Sequence, residues 1–281
     1  MKAATYHRYG SPDVLKLQEV PIPVPGPDEV LIRVRAASVT TADWRLRASA
    51  FPGLLWLPGR LMMGLFAPRA KVLGSDIAGD VVAVGHAVTR FKPGDRVFGA
   101  IRFGGHAEYA VAAQTAALAL LPDGTSDAEA AALPFGALTA LNFLRDVADL
   151  RPGQRVLIVG ASGGVGAYAT QIAKALGAHV TALAGPRREA LLHGLGADVV
   201  LDYRQDDPAA ATDLYDVVFD TVGATSWAGM RKAIRKSGLF LPLNFGGRDM
   251  LQMLRAWIAG GPRLKLFVSG ETAEDLETIS G

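Results

Sequence analysis

The sequence predicts an α/β protein in two parts: a β-rich first part, and a second part built on a doubly wound parallel sheet. Strand patterns fill the N-terminal region, a capping box opens an alanine-rich helix at Ser126, and short Val/Leu-rich runs then alternate with helical lengths. At 281 residues the chain exceeds the usual size of one domain. We therefore expect two domains, residues 1–121 and residues 122–281.

The first part contains three strand candidates. EVLIRVRAASV alternates apolar residues with polar or basic ones, as a half-buried strand does, and DIAGDVVAVG and DRVFGAI follow it. Pro93-Gly94, between the last two, favours a type II turn. The earlier segment PIPVPGPDE is too rich in proline for an inner strand, so we expect it to be extended at a sheet edge.

A basic and apolar stretch interrupts this part. From Trp44 to Ser75 there is no acidic residue, and residues 51–66 are rich in Leu, Met and aromatic side chains. Proline and glycine interrupt the stretch too often for a membrane span, so we expect no stable membrane insertion. Two interpretations remain: a loop and short helix packed over the core, or an apolar wall around a substrate.

The second part alternates helices and strands. Ser126 to Glu129 forms a capping box before a helix predicted to run towards Asp149. The predicted strands are RVLIVG, HVTALA, DVVL, YDVVFD, GLFLPLN and LKLFVS. Short apolar strands separated by helices form parallel βαβ units, which predicts a Rossmann-type domain. We expect LKLFVS at a sheet edge, and because an exposed edge invites pairing, we expect a homodimer.

A glycine-rich turn joins the first of these strands to its helix. It reads Ala161-Ser162-Gly163-Gly164-Val165-Gly166, a form of G-x-G-x-x-G with alanine first. Gly163 would let the backbone approach a pyrophosphate, and Gly166 would let the helix pack on the strand. The helix N-terminus would offer N–H groups to the anion. The context predicts a dinucleotide site, and a purely structural turn is the alternative.

The end of the next strand indicates which dinucleotide is bound. An NAD-preferring site has Asp or Glu there to bind the ribose 2′-hydroxyl. Here the segment runs from Leu183 through Arg187 and Arg188, with no acid before Glu189. Two guanidinium groups favour a 2′-phosphate, although solvated arginines opening a helix give the same pattern. We expect NADPH as the cofactor.

Composition excludes several classes of protein. The chain has no cysteine, which excludes disulfides, thiolate zinc sites and a cysteine nucleophile. The net charge is +2 and the basic residues are dispersed, so we expect no nucleic-acid partner. The N-terminus lacks the apolar core of a signal peptide, and we expect a cytoplasmic protein.

Several motifs along the chain carry a family resemblance: VRAASV, GSDIAGDVVAVGHAVTRFKPGDRVFG, GGHAEYA, ALPFGALTA, VGASGGVG, LGADVVLDY, FDTVG and LFVSG. Together they resemble the zinc-independent branch of the medium-chain dehydrogenase/reductase superfamily, which includes quinone oxidoreductases of the zeta-crystallin type. The resemblance implies a GroES-like first domain before the Rossmann domain. The resemblance also implies a longer chain, whose C-terminal segment returns to the first domain. We expect that segment to be missing here.

The resemblance bears on the reaction as well. In zinc alcohol dehydrogenases the ligands would stand at Thr40, at Ser75-Asp76, and near Pro134 or Phe135, where this chain lacks them. We expect no metal. Without a Lewis acid, alcohol oxidation is disfavoured. The resemblance implies hydride transfer from NADPH to a small apolar electrophile, a quinone or an α,β-unsaturated carbonyl (enone). A non-catalytic NADPH-binding sensor or partner-binding protein is the alternative.

Site residues follow from the same resemblance. A family motif that often reads Asn-Pro-x-Asp-x-Tyr has Thr40 in place of Asn and Arg45 in place of Tyr. Both are candidate catalytic residues, and Arg45 is either a stabiliser of an oxyanion or a surface arginine. We expect Trp44 in the core, and Asp43 and His106 in structural roles. The expected cofactor contacts are Thr139, Ser162, Gly163, Gly164, Val165, Gly166, Gly185, Arg187, Arg188, Tyr203, Thr221, Val222, Asn244 and Phe245.

Overall fold

The first unit of the chain is built on an antiparallel sheet. In the computed structural model, which describes residues 1–51, 53 and 56–280, a short ribbon pairs β1 (Lys2–Thr5) with β2 (Lys16–Glu19). The larger sheet contains β3 (Glu29–Ala37), β4 (Asp76–Val84), β5 (Arg96–Ala100), β6 (Tyr109–Ala113) and β7 (Ala117–Leu120). Its order is β6-β3-β4-β5-β7. Strands β3, β4 and β5 confirm the three strand predictions, and Gly94 has the positive φ of +95° that a type II turn requires.

Helices α1 (Thr41–Ala48) and α2 (Trp56–Met63) lie between β3 and β4 in the chain. Pro52, Leu54 and Leu55 of the apolar stretch lie outside the described residues. On α2, Gly59 and Met63 are buried, but Leu57 and Leu61 are more than half exposed. Packing over the core therefore accounts for only one side of this helix.

The predicted capping box at Ser126 is present. Ser126 Oγ accepts the N–H of Glu129 (3.2 Å), and Glu129 Oε2 accepts the N–H of Ser126 (3.1 Å). However, α3 (Asp127–Ala132) is followed by a separate α4 (Pro134–Leu141) and a π-helical stretch, Asn142–Val147. The prediction of one helix towards Asp149 is wrong, because proline has no N–H with which to continue a helix.

The second unit is a parallel sheet with helices between its strands. Its strands are β8 (Arg155–Val159), β9 (His179–Ala184), β10 (Val199–Asp202), β11 (Tyr215–Asp220), β12 (Ile234–Pro242) and β13 (Arg263–Leu264). Its helices are α5 (Gly164–Ala175), α6 (Glu189–Gly194), α7 (Trp227–Met230) and α8 (Gly247–Ala259). The order β10-β9-β8-β11-β12-β13 confirms the doubly wound fold. Because the order reverses at β8, the loops after β8 and β11 lie where such sheets bind ligands.

The edge strand of this sheet is shorter than predicted. β13 contains only Arg263 and Leu264, so the prediction that LKLFVS forms a strand is wrong in extent. Lys265 N–H still donates to Phe240 O (3.2 Å). The chain then leaves the sheet, and Phe267 packs edge-on against Phe143, with ring centroids 5.4 Å apart.

The division between the units differs from the expected one. The first unit comprises Met1–Leu138 together with the C-terminal residues from Glu271 onward, and the second comprises Thr139–Gly270. The boundary does not fall after residue 121, because α3 buries Ala130 and Ala131 against Ala78 and Phe98 of the first sheet. Helix α9 (Ala273–Ser280) places Leu276 in the same core. A C-terminal return to the first unit is thus present. No described helix is long and apolar enough to cross a membrane.

Candidate functional site

The turn after β8 is held by backbone hydrogen bonds. The N–H groups of Gly160 and Ala161 both donate to Leu183 O on β9 (2.9 and 3.1 Å), and Gly163 N–H donates to Gly160 O (2.9 Å). A Cβ on Gly166 would collide with the carbonyl oxygen of Gly160 and with Ala161 Cα. Gly166 therefore lets helix α5 pack closely against the turn, as expected from the sequence.

Gly160 was not singled out from the sequence, yet it shapes this turn. Its φ is +80°, which favours glycine. A Cβ there would lie 2.6 Å from Val222 Cγ1 and 2.8 Å from Thr221 Oγ1. Gly160 thus supplies the tight turn one residue before Ala161, which is fully buried. In the sequence, the glycine that precedes the alanine of VGASGGVG indicates this tight turn.

The first turn of α5 leaves its backbone donors available. The N-cap residue, Gly163, has no side chain to cap the helix, and it is exposed together with Gly164. A Cβ on Gly164 would meet nothing within 4 Å. The first N–H groups of a helix have no intrahelical acceptor, so this turn can receive a diphosphate. Ser162 is half-buried beside it, and the side chain of Val165 is buried.

Three of the predicted residues stand at the carboxyl ends of β9 and β10 with exposed side chains. Tyr203 N–H donates to Ala184 O (3.1 Å), and a Cβ on Gly185 would lie 3.3 Å from the Tyr203 ring. Arg187, with φ +61°, and Arg188 are both exposed. Neither forms an ion pair with a described residue. Their guanidinium groups are therefore available to an anion.

One buried carboxylate organises the loop after β11. Asp220 Oδ1 accepts the N–H groups of Val222 (3.0 Å) and Gly223 (2.7 Å), and Oδ2 accepts Thr225 N–H (2.7 Å). Asp220 has no exposed surface. It was missed from the sequence, because its partners are backbone groups that only the folded loop brings to it.

The loops after β11 and β12 meet. Thr221 Oγ1 donates to Val159 O at the end of β8 (2.8 Å), and Val222 is half exposed. A Cβ on Gly223 would lie 3.4 Å from Asn244 Cβ. Thr221 and Val222 thus lie against Gly160 of the glycine turn, and Asn244 lies beside Gly223 of the same loop. The neighbouring Phe245 is half-buried, and Thr139 is buried on α4, at the first residue of the second unit.

In the first unit, Thr40 is the N-cap of α1. Its Oγ1 accepts Asp43 N–H (3.3 Å), and Asp43 Oδ2 accepts Thr40 N–H (2.8 Å). Asp43 Oδ1 also accepts Gly74 N–H (3.0 Å), which agrees with its expected structural role. Arg45 is half-buried on the same helix. Trp44 is 47% exposed, so the expectation of a core position for it is wrong.

A second buried carboxylate lies at a position aligned with a zinc ligand. Asp76 Oδ2 accepts Phe135 N–H (2.9 Å), and Oδ1 accepts the hydroxyl of Ser75 (3.0 Å). Burial raises the pKa of Asp76, although these hydrogen bonds oppose the shift. Glu271 keeps contact with solvent, but the protein atoms around it displace enough water to raise its pKa, and the charge of Asp76 raises it further. His106 Nε2 hydrogen-bonds with Ser38 O (2.9 Å), consistent with a structural role.

The described residues contain no group of three or more His, Asp or Glu side chains placed to hold a metal ion. Two family models match the chain. The alcohol dehydrogenase GroES-like domain matches residues 26–123, and the zinc-binding dehydrogenase domain matches residues 164–269.

Similar proteins are known by sequence and by structure. The chloroplastic quinone-oxidoreductase homolog of Spinacia oleracea is 38% identical over 92% of this chain and 78% of its own length. The chloroplastic NADPH-dependent alkenal/one oxidoreductase of Arabidopsis thaliana is 33% identical over 93% and 70%. The solved quinone oxidoreductase from Coxiella burnetii superposes with a TM-score of 0.86 at 28% identity, covering 100% of this chain and 86% of that one.

A further solved structure, Escherichia coli quinone oxidoreductase complexed with NADPH, superposes with a TM-score of 0.81 at 25% identity, again covering 100% and 86%. Both halves of the chain are thus matched by family models, and curated relatives match it over most of their length. The chain belongs to the quinone oxidoreductase family of the medium-chain dehydrogenase/reductase superfamily, and it is a nicotinamide-dependent oxidoreductase.

Proposed function

We propose that the protein is an NADPH-dependent reductase of quinones or α,β-unsaturated carbonyls that works without zinc. The observation that carries the proposal is an open glycine turn at the switch point, with two exposed arginines after the next strand that form no ion pair with any described residue. Relatives named quinone oxidoreductase and alkenal/one oxidoreductase support the substrate class.

The second unit would bind the cofactor along the carboxyl ends of its strands. The N–H groups of Gly164, Val165 and Gly166 would bind the diphosphate. Arg187 and Arg188 would hold the 2′-phosphate by charge-assisted hydrogen bonds, with Tyr203 beside the adenosine. Bound NADPH would supply a hydride. The remaining proposed contacts, around the glycine turn and towards the nicotinamide, are Ser162, Gly163, Gly185, Thr139, Thr221, Val222, Asn244 and Phe245.

The internal hydrogen bonds of the first unit support a reaction without zinc. Asp76 is committed to Phe135 N–H and to the hydroxyl of Ser75. Thr40 is committed to the cap of α1. These side chains, aligned with zinc ligands by the family resemblance, serve the fold of the first unit.

The chemistry then depends on position and charge. As a hydride reaches the conjugated carbon of the acceptor, negative charge develops on its oxygen. Arg45 is the proposed donor to that oxygen, because it is a half-buried cation on the helix that carries the family motif. An apolar acceptor would also exclude water from the reacting atoms.

The proposal is tested by titrating the protein with NADPH and NADH, using wild type and Arg187→Ala/Arg188→Ala. Hydrogen bonds to charged groups contribute about 1.5–3 kcal/mol each, so we expect the Kd for NADPH to rise at least about 100-fold. NADH lacks the 2′-phosphate and should change less than about threefold. Arg151→Ala is the matched control, since this exposed arginine precedes β8, at the opposite end of the strand. Equal weakening of both nucleotides would contradict the arginine assignment.

A second candidate function is a non-catalytic NADPH sensor or partner-binding protein. It is favoured by the engagement of the Thr40 hydroxyl in a helix cap and by Arg45 in place of the family tyrosine. This candidate predicts tight NADPH binding without oxidation of the bound nucleotide by any quinone or enone. Cytoplasmic location and homodimerisation stay predictions for either function.

A further inference from the structure

A surface cavity lies in the first unit, between the loop that follows β1 and helices α1 and α2. Its volume is about 250 Å³, which at roughly 30 Å³ per molecule is room for about eight waters. That is more space than a packing defect leaves, and slightly less than a pocket for a drug-sized molecule. The lining residues are Tyr9, Gly10, Ala48, Ser49, Trp56 and Arg60.

Two hydrogen bonds hold the walls of this cavity. Tyr9 Oη donates to Gly64 O (2.8 Å), directly after the end of α2. Gly10 N–H donates to Arg47 O (3.1 Å), in the last turn of α1. The loop is therefore tied to both helices, and the cavity between them is part of the fold.

Two polar atoms of the lining residues lack a hydrogen-bond partner among the described residues. They are Arg60 Nε and Ser49 Oγ, and both are shielded from bulk water. Only 8% of Ser49 is exposed. Buried polar atoms are normally hydrogen-bonded, because an atom that has lost water and gained no partner is costly. A ligand in the cavity would supply the partners that the fold does not.

The cavity is cationic and has aromatic walls. The guanidinium carbon of Arg60 lies 4.1 Å from the ring centroid of Tyr9 and 5.5 Å from that of Trp56. Such stacking engages the face of the guanidinium and leaves its N–H groups to donate in the plane. Protein atoms displace water from Tyr9 and raise its pKa, and the charge of Arg60 opposes that rise. No acidic residue stands between Trp44 and Ser75, and none is among the described lining residues.

We propose that this cavity is a second ligand site, for a small monocarboxylate with an apolar or aromatic body. The carboxylate would accept hydrogen bonds from Arg60 and Ser49, and the body would lie against the rings of Tyr9 and Trp56. Ser49 would reach the carboxylate by a turn about its Cα–Cβ bond. One guanidinium balances one negative charge, whereas a doubly charged phosphate would bring an unpaired charge against the rings.

This inference goes beyond the proposed function. None of the residues proposed for NADPH or for catalysis lines the cavity. Ser49 follows α1, whose 8 residues span about 12 Å, and Thr40 stands at the other end of that helix. Binding of a carboxylate here is therefore measured without nucleotide, and its failure would leave the proposed function untouched.

The test is isothermal titration calorimetry of the full chain with benzoate, and with benzamide as the neutral analogue of the same shape. We expect one benzoate per chain, bound at least about tenfold more tightly than benzamide, because hydrogen bonds to a charged group are the stronger ones. Arg60→Gln should weaken benzoate binding at least about tenfold for the same reason. The matched control is Arg231→Gln, an exposed arginine of the second unit that lies over the ring of Trp227 (5.4 Å).

Ser49→Ala separates a ligand-binding role from a structural one. Its hydroxyl has no partner among the described residues, so its removal should leave the midpoint of urea unfolding unchanged or raise it. The Kd for benzoate should nevertheless rise about tenfold. A lower urea midpoint with unchanged benzoate binding would mean that the hydroxyl serves the fold, and the proposal would be wrong.

Four further results would overturn the proposal: no heat from benzoate, equal affinity for benzamide, benzoate affinity unchanged in both cavity variants, or loss of benzoate binding in the control. Tighter binding of inorganic phosphate than of benzoate would also overturn it, since the site would then hold a simple anion. Ser49→Ala keeps the test decisive even where Arg60→Gln fails to fold, because this substitution removes no hydrogen bond between described residues.

Discussion

At the scale of single residues, the glycine turn after β8 depends on the absence of a side chain at two positions. Gly160 leaves room for Thr221 and Val222, and Gly166 leaves room for the carbonyl of Gly160. The turn therefore fits between β8, β11 and α5 only because no Cβ stands at either position.

Gly166→Ala should destabilise the protein. Its Cβ would meet backbone atoms of Gly160 and Ala161, which cannot rotate away as a flexible side chain could. We expect a loss of about 1–3 kcal/mol in the free energy of unfolding, measured by urea denaturation.

Gly164→Ala is the matched control for that measurement. It places a Cβ on the same helical turn, in open space. We expect no loss, and a gain of at most about 1 kcal/mol, because alanine favours the helix. Equal destabilisation by both substitutions would refute the steric account of Gly166.

These residues also mark how far the sequence predicts the site. The glycine motif and the arginine pair are visible because each is a local pattern beside a predicted strand. The glycine before Ala161 is also visible, but the contacts that require it are not, and neither is the role of Asp220, because both depend on partners in the fold. For Gly160 these partners are the side chains of Thr221 and Val222 in the loop after β11, and for Asp220 they are backbone N–H groups of the same loop.

At the scale of elements, α1 depends on the capping box of Thr40 and Asp43. Thr40→Ala removes the acceptor for Asp43 N–H, and we expect it to cost about 1 kcal/mol in the free energy of unfolding. Thr40→Ser keeps the hydroxyl and should retain most of that stability. Equal stability of the alanine variant and wild type would mean that the cap contributes nothing.

Elements with strong local patterns were predicted, and those that depend on tertiary contacts were not. The alternation in EVLIRVRAASV and the apolar run in RVLIVG correspond to β3 and β8. The length of β13 was overestimated, because the chain leaves the sheet after Lys265 and Phe267 packs on Phe143, a tertiary contact that the local sequence does not show. Helix α9 joins the first unit through Leu276, a contact that its local sequence does not reveal.

At the scale of the whole molecule, buried carboxylates couple stability to pH. Burial raises the pKa of Asp76 above its ordinary 3.8. A raised pKa means that the folded state binds this proton more tightly than the unfolded state. The stability gained from protonation is therefore present below 3.8 and is lost as pH rises through the raised value.

Asp76→Asn should remove this loss of stability at higher pH, because an amide does not ionise. The amide oxygen can still accept Phe135 N–H, and the amide N–H groups can donate to the hydroxyl of Ser75. We expect the variant to gain stability relative to wild type as pH rises above 3.8, as measured by urea unfolding across a pH series. A difference between variant and wild type that stays constant with pH would contradict the assignment.

Asp80→Asn is the matched control, because the pKa of Asp80 is shifted in the opposite direction. Desolvation raises the pKa of Asp80, but hydrogen bonds and charges of Arg33 and Arg35 outweigh it, and the net shift is downward. Its contribution to stability is present above the ordinary pKa and lost as pH falls through the lowered value. We expect this variant to lose stability relative to wild type near neutral pH, and the loss to shrink in acid.

In the proposed function, the glycine turn and the arginine pair hold NADPH for reduction of a quinone or enone. The most direct test is the rate of nucleotide oxidation by the full chain with a panel of short-chain quinones and enones, comparing NADPH with NADH. We predict oxidation of NADPH with kcat/KM at least about tenfold above that for NADH, a preference that Arg187→Ala/Arg188→Ala abolishes. Tight binding of NADPH without oxidation by any acceptor, or equal use of both nucleotides by wild type, would contradict the account.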